Sequence, residues 1–174
     1  MEYQKKKIFN TNIVARTSEE IQGVLNALCF ASSREKKLSA YLKKISAILV
    51  YSKKTGYDNL LFPKEGIYVC QTRTVLDATR EYLASLFVHE ARHLWQFKKK
   101  KPYYGDIAEE DAYHFQRRFL KKYGIIEDVE WLDELYKQKW WVFKDKKSGK
   151  RKSVSPRDRI FKKFVERYVS GNLF

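Results

Sequence analysis

The stretch from Phe87 to Phe97, FVHEARHLWQF, places His89 and His93 four residues apart, with Glu90 directly after the first histidine. Apolar residues recur around this motif at helical spacing, and neither glycine nor proline interrupts residues 74 to 97, so the pattern predicts one helix. Positions i and i+4 lie on one face of a helix, about 6 Å apart. The two imidazole rings can therefore be directed at a common point.

Two imidazole nitrogens at a common point are suitable ligands for Zn²⁺, whose catalytic sites use three protein ligands and keep one position open. Glu90 lies about 100° around the helix from His89, so it faces the space beside such an ion rather than the ion itself. There it can act as general base toward a water whose pKa the zinc lowers. The His-Glu-x-x-His arrangement is the pattern of zinc metallopeptidases.

A third ligand is available in a second predicted helix, which begins at residue 106 or 107 and ends before Gly124. Glu109, Glu110 and His114 all lie in it. Glu110 and His114 share one helical face, whereas His114 lies about 140° around the helix from Glu109, so Glu109 and His114 cannot both bind the same ion. Helical position alone leaves all three residues open as ligands.

The motifs resemble those of small single-domain gluzincins, the thermolysin-related metallopeptidases that include phage- and mobile-element-encoded members. The signature of that family, His-Glu-x-x-His followed by Glu-x-x-Ala-x-x-Phe on a "glutamate helix", matches here at residues 89–93 and 109–115. The resemblance covers roughly residues 20–125. It implies an α+β, zincin-like fold with Zn²⁺ bound by His89, His93 and Glu109, and Glu90 as catalytic base. Glu110 and His114 stay as alternative ligands, and His114 would indicate a Spartan-type protease with three histidines.

One position departs from the thermolysin-like pattern. Those members have an aspartate four residues after the glutamate ligand, where it supports one histidine, but this chain has Tyr113. Asp106, Asp111 or Tyr113 could supply that support. Arg92, inside the motif, faces away from the histidines, and we expect it to pair with an acid such as Asp111 or Glu110.

Three further residues near the motif are candidates for supporting roles. Gln96 lies one turn beyond His93 on nearly the same face, where it could bond a ligand histidine or a backbone carbonyl. Tyr103 and Tyr104, between the two helices, could stabilise an oxyanion, but packing of the connection is the simpler interpretation.

The remaining pattern predicts an α+β fold in which helices pack on a small β-sheet, with an active-site helix and a glutamate helix. Short runs rich in β-branched and aromatic residues predict strands, and amphipathic runs predict helices. The predicted strands are 46–52 and 66–72, and the other helices are 18–30, 33–44, 126–138 and 156–169. We interpret residues 1–136 as the zincin-like metallopeptidase domain and 137–174 as a basic extension, a hairpin plus a helix, packed on that domain.

The charge is unevenly distributed along the chain. The chain has 36 Lys and Arg and 21 Asp and Glu, which gives a net charge of +15. Residues 137–174 contain 13 basic and 3 acidic residues, so +10 of the net charge lies in this segment. Such clustering favours a polyanionic partner. The alternative function is therefore a basic nucleic-acid-binding protein, in which the metal site is structural or absent. The candidate contacts are Lys146, Lys147, Lys150, Arg151 and Lys152.

Several other classes of protein are disfavoured by the composition. The two cysteines, Cys29 and Cys70, are too few for a disulfide framework, and no run approaches the roughly 20 apolar residues that a membrane span needs. The basic N-terminal residues are not followed by the apolar core of a signal peptide, so we expect a cytoplasmic protein. The expected partners are Zn²⁺ and a protein or peptide substrate.

Overall fold

The computed structural model describes residues 2–34, 36–52, 59–138 and 156–173. Within them lie five strands and seven helices, and the α+β class predicted from the sequence is confirmed. The strands are β1 (Gln4–Ile8), β2 (Thr11–Ala15), β3 (Ala47–Tyr51), β4 (Asn59–Phe62) and β5 (Ile67–Gln71). The helices are α1 (Ser18–Arg34), α2 (Lys36–Leu42), α3 (Thr72–Asp77), α4 (Arg80–Lys98), α5 (Asp106–Tyr123), α6 (Ile126–Lys137) and α7 (Pro156–Val169).

The five strands form one mixed sheet in the order β1-β2-β3-β5-β4. The central pairs, β2 with β3 and β3 with β5, are parallel, and the outer strands β1 and β4 pair antiparallel with their neighbours. β3 and β5 have buried side chains on both faces, which explains their continuous apolar runs. The two sheet edges are therefore the basic strand β1 and the short strand β4.

The larger part of the core lies between α1, α4 and one face of the sheet. Phe87, on α4, is fully buried and meets the ring of Tyr68, on β5, edge-on at a centroid distance of 5.8 Å. Ile48 and Val50 project from β3 into the same cluster. This packing determines which face of α4 is turned to the sheet. The histidines lie on a neighbouring face of the same helix.

The other face of the sheet is covered by α7. Phe164 and Val165 on this helix, with Leu173 after it, are buried against Leu49 and Val69 of the sheet. Phe164 also contacts the rings of Tyr3, just before β1, and Tyr51, the last residue of β3. The predicted helix 156–169 is thus confirmed, whereas the domain boundary after residue 136 stays a prediction.

The predicted helix over residues 74–97 is divided into two. α3 ends at Asp77, Ala78 and Thr79 have extended backbone, and α4 begins at Arg80. The Thr79 hydroxyl oxygen accepts a hydrogen bond from the Tyr82 backbone N–H at 3.0 Å and caps α4. The same hydroxyl donates to Asp128 on α6 at 2.6 Å, so this hydrogen bond connects the start of α4 to α6.

The predicted basic hairpin lies outside the described residues, and with it Lys146, Lys147, Lys150, Arg151 and Lys152. Among the helices of the described part of the chain, none combines the length and the apolarity needed to cross a membrane.

Candidate metal centre

The two histidines of the motif meet on α4. Their Nε2 atoms are 2.9 Å apart, and the rings are nearly perpendicular, with centroids 4.7 Å apart. Val88, Ala91 and Leu94 are buried around them and hold this part of the helix against the core. The two side chains, four residues apart, therefore face one point, as the sequence predicts.

Glu109 comes to the same point from α5. The connection after α4 reaches Gly105, whose φ of 82° lies in the left-handed region that favours glycine, and α5 begins at the next residue. Ala108 and Ala112, both buried, present small side chains that allow a close approach of α5 to α4. Glu109 Oε2 then lies 3.5 Å from His89 Nε2 and 3.4 Å from His93 Nε2.

The spacing of these three atoms suits a small metal ion. Each of the three residues offers one ligand atom, and these atoms lie within 4.8 Å of one another. Ligands about 2.0–2.1 Å from a tetrahedral zinc are about 3.3 Å apart, and the separations of 2.9, 3.4 and 3.5 Å in the structure bracket that value. Two imidazoles and one carboxylate are also a ligand set of catalytic zinc sites.

Charges at the centre suit a cation. Burial raises the pKa of Glu109, but hydrogen bonding to His89 and His93 outweighs this effect and holds that pKa well below its ordinary range. Glu109 is therefore ionised at neutral pH. Burial lowers the pKa of His93, but hydrogen bonding to Glu109 and the charges of Glu90 and Glu109 raise it overall.

Glu90 lies beside the three ligand residues and is half-buried. Burial raises the pKa of its carboxyl group, the His89 and His93 rings oppose that rise, and the Glu109 carboxylate adds to it. A carboxyl group whose pKa is raised toward neutrality is better matched to proton transfer at neutral pH. Its position next to the paired histidines agrees with the role of general base predicted from the sequence.

Gln96 supports the centre from the next turn of α4, and it makes both of the contacts considered for it. Its Oε1 lies 2.9 Å from His93 Nδ1, and its Nε2 donates to the Ala108 carbonyl at 3.2 Å. Nε2 also donates to the Asp111 carboxylate at 2.7 Å. Arg92 pairs with that same Asp111 carboxylate, as expected.

Tyr113, a candidate for supporting a histidine, and Tyr103, a candidate for stabilising an oxyanion, make other contacts. Tyr113 donates its hydroxyl hydrogen to Asp133 on α6, and Arg117 also pairs with that carboxylate. Tyr103 packs edge-on against Phe97 at a centroid distance of 5.0 Å, the packing role considered for it above. Of the acids proposed from the sequence, Asp111 is the one that reaches a ligand histidine, and it does so through Gln96.

The alternative ligands Glu110 and His114 are on a different face of α5. They pair with each other at 3.9 Å, and their side chains are 57% and 59% exposed. Glu110 also accepts a hydrogen bond from the Tyr136 hydroxyl at 2.8 Å. The structure therefore brings Glu109 to the histidine pair and leaves Glu110 and His114 at the surface.

No protein-family model matches the chain, and no match is found among curated proteins or among solved structures.

Proposed function

We propose that this protein is a zinc-dependent metallopeptidase. The observation that carries the proposal is the convergence of His89, His93 and Glu109 within ligand distance of one another, with Glu90 directly beside them. Two ligands from one helical turn, a carboxylate from a second helix and an adjacent carboxyl group form the arrangement that metal-assisted hydrolysis requires.

The metal and the protein would divide the chemistry between them. Bound zinc would polarise the carbonyl of the scissile peptide bond and lower the pKa of water. The Glu90 carboxylate would take a proton from the attacking water and pass it to the amine nitrogen that leaves. The carbon–nitrogen bond breaks, the new carbon–oxygen bond forms, and Glu90 returns to its ionised state.

The edge strand β4 offers a place for the substrate. It pairs antiparallel with β5 at one end of the sheet and packs against α4, the helix that carries both histidines. An extended peptide can add to such an edge by backbone hydrogen bonds, which accommodate many sequences. We therefore propose a protein or peptide substrate that is extended at the cleaved bond.

The basic extension is proposed to bring the enzyme to nucleic acid. Lys162, Lys163 and Arg167 are exposed on α7, the helix that follows the lysine-rich segment in sequence, and they add to its positive charge. Because Phe164 covers the sheet, charge reversal is a cleaner test than truncation of this region. A Lys146→Glu, Lys147→Glu double variant should lose DNA retention, and a Lys6→Glu, Lys7→Glu control should not.

Metal removal tests the proposed activity. A broad peptide library should be cleaved by the zinc-loaded protein, cleavage should stop when a chelator removes the metal, and one equivalent of zinc should restore it. Cleavage that persists without metal would refute the metallopeptidase assignment. DNA retention without any cleavage under loaded conditions would favour the nucleic-acid-binding alternative.

A further inference from the structure

We propose that Gln96 positions His93 for metal binding, and that Asp111 and Arg92 hold Gln96 in the required orientation. The inference rests on the proposed metal site and adds residues outside the His-Glu-x-x-His motif to its function. Gln96 is 3% exposed and is the next buried polar group beyond His93 on α4.

The orientation of the Gln96 amide follows from its neighbours. The oxygen and the NH₂ group of a glutamine amide have nearly the same shape, so their neighbours must distinguish them. One end of the Gln96 amide lies 3.2 Å from the Ala108 carbonyl oxygen and 2.7 Å from an Asp111 carboxylate oxygen. Both neighbours are acceptors, so this end must be the NH₂ group. The other end, the Oε1 atom facing His93 Nδ1 at 2.9 Å, is therefore an acceptor.

An acceptor at that place determines the tautomer of His93. The ring nitrogen that faces Gln96 Oε1 must carry the hydrogen, so Nδ1 is the donor. In the neutral ring the lone pair is then on Nε2, the atom that lies 3.4 Å from Glu109 Oε2 and 2.9 Å from His89 Nε2. Gln96 thus places a hydrogen on Nδ1, leaves Nε2 as the nitrogen that faces the metal position, and fixes the ring plane.

The same hydrogen bonds connect the two helices that supply the ligands. Gln96 is on α4, and both groups that receive its NH₂ hydrogens, Ala108 and Asp111, are on α5 on either side of Glu109. Arg92, adjacent to His93, donates to the two Asp111 oxygens at 2.8 and 3.0 Å. The network therefore fixes two things: the orientation of the His93 imidazole ring and the distance between Glu109 and His93.

His89 lacks a comparable support. Its Nδ1 atom is buried and has no hydrogen-bond partner within the described residues. The orienting network is consequently specific to one of the two ligand histidines. Groups that orient a ligand histidine in this way typically change metal affinity by about 10- to 100-fold when they are removed.

Gln116 provides a matched control. It is 2% exposed, lies on α5, and donates from its Nε2 to Ser85 Oγ on α4 at 2.9 Å. Gln116→Leu therefore removes a buried glutamine that joins the same two helices, without touching a ligand histidine. Gln96→Leu removes the acceptor for His93. Gln96→Glu keeps an acceptor but gives up the donations to Ala108 and Asp111 and places its carboxylate against that of Asp111.

The experiment measures zinc affinity by competition with a chelating dye, together with thermal unfolding. We expect Gln96→Leu to weaken zinc binding about 10- to 100-fold. Gln116→Leu should leave affinity nearly unchanged while lowering the unfolding temperature. Gln96→Glu loses the support of Asp111, so it should bind zinc less tightly than wild type and be less stable. Equal affinities in Gln96→Leu and Gln116→Leu would overturn the proposal, as would a Gln96→Glu variant that binds zinc as tightly as wild type and is as stable.

A second measurement separates this proposal from the proposed function. Long-range proton–nitrogen NMR correlations on the protein after chelation should show His93 protonated at Nδ1 in wild type. In Gln96→Leu this preference should be lost, whereas in Gln116→Leu it should be kept. Wild type that binds no zinc would refute the metallopeptidase function. A wild-type His93 with no hydrogen on Nδ1 would refute the role of Gln96.

Discussion

Replacement of Glu90 by glutamine separates catalysis from metal binding and folding. The two side chains have the same shape, and within the described residues the Glu90 carboxylate takes part in no hydrogen bond or ion pair that the amide would break. Burial already disfavours its ionised form, which the raised pKa reflects. We therefore expect the free energy of unfolding to change by less than about 1 kcal/mol.

The effect on hydrolysis should be far larger. General acid–base catalysis contributes about 10²- to 10⁴-fold, which corresponds to roughly 3 to 5 kcal/mol in the activation barrier. An amide cannot take the proton of the attacking water, so Glu90→Gln should lose that factor in kcat/KM. Because the expected change in the activation barrier is much larger than the expected change in the free energy of unfolding, a loss of activity can be attributed to Glu90 itself rather than to unfolding.

The assay follows cleavage of a fluorogenic peptide at equal zinc content. Glu110→Gln is the matched control, because it removes the same charge from an exposed side chain next to Glu109 in sequence and away from the histidines. Activity of Glu90→Gln within tenfold of wild type would refute the reasoning. So would a loss of metal or of folded structure in parallel with activity, because Glu90 would then be structural.

Three further predictions concern the fold that carries the site. Phe87→Ala should cost about 3 to 5 kcal/mol in urea unfolding, because the ring is fully buried against the sheet, and a cost below about 1 kcal/mol would contradict that packing. Phe164→Ala should cost about 3 kcal/mol, and unchanged stability would mean that α7 does not cover the sheet. Hydrogen bonds from Arg117 lower the pKa of Asp133 to about 2. The ionised Asp133 therefore stabilises the folded state fully above its ordinary pKa of about 3.9, and this contribution is lost as pH falls toward 2. Asp133→Asn should therefore be about 1 kcal/mol less stable than wild type at pH 7, after allowance for solvent screening, and equally stable near pH 2; a difference that does not depend on pH would contradict the pair.

The helices were largely predictable, because burial of one face leaves a periodic apolar pattern. The break between α3 and α4 was not, since Ala78 and Thr79 carry no glycine or proline signal and the cap depends on Asp128 from a distant helix. β1 also escaped prediction. Its residues Gln4–Ile8 are mostly exposed lysines with no apolar alternation, and their extended state depends on pairing with β2.

The candidate site was predictable where residues share a helix. The spacing of His89 and His93 determines their common face, and Gln96 follows at the next turn. The choice among acids on α5 depends on how that helix is rotated against α4, which is a property of the packed pair. Local sequence therefore could not show that Asp111 turns toward Gln96 while Glu110 turns toward Tyr136.

Metal content tests the central claim most directly. Elemental analysis of the purified protein should compare wild type with Glu109→Ala and with Glu110→Ala, two adjacent residues that the structure places on different faces of α5. We predict about one zinc per chain in wild type and in Glu110→Ala, and a loss of zinc in Glu109→Ala. Wild-type protein that holds no zinc and cannot be reloaded would contradict the account, as would equal loss in both variants.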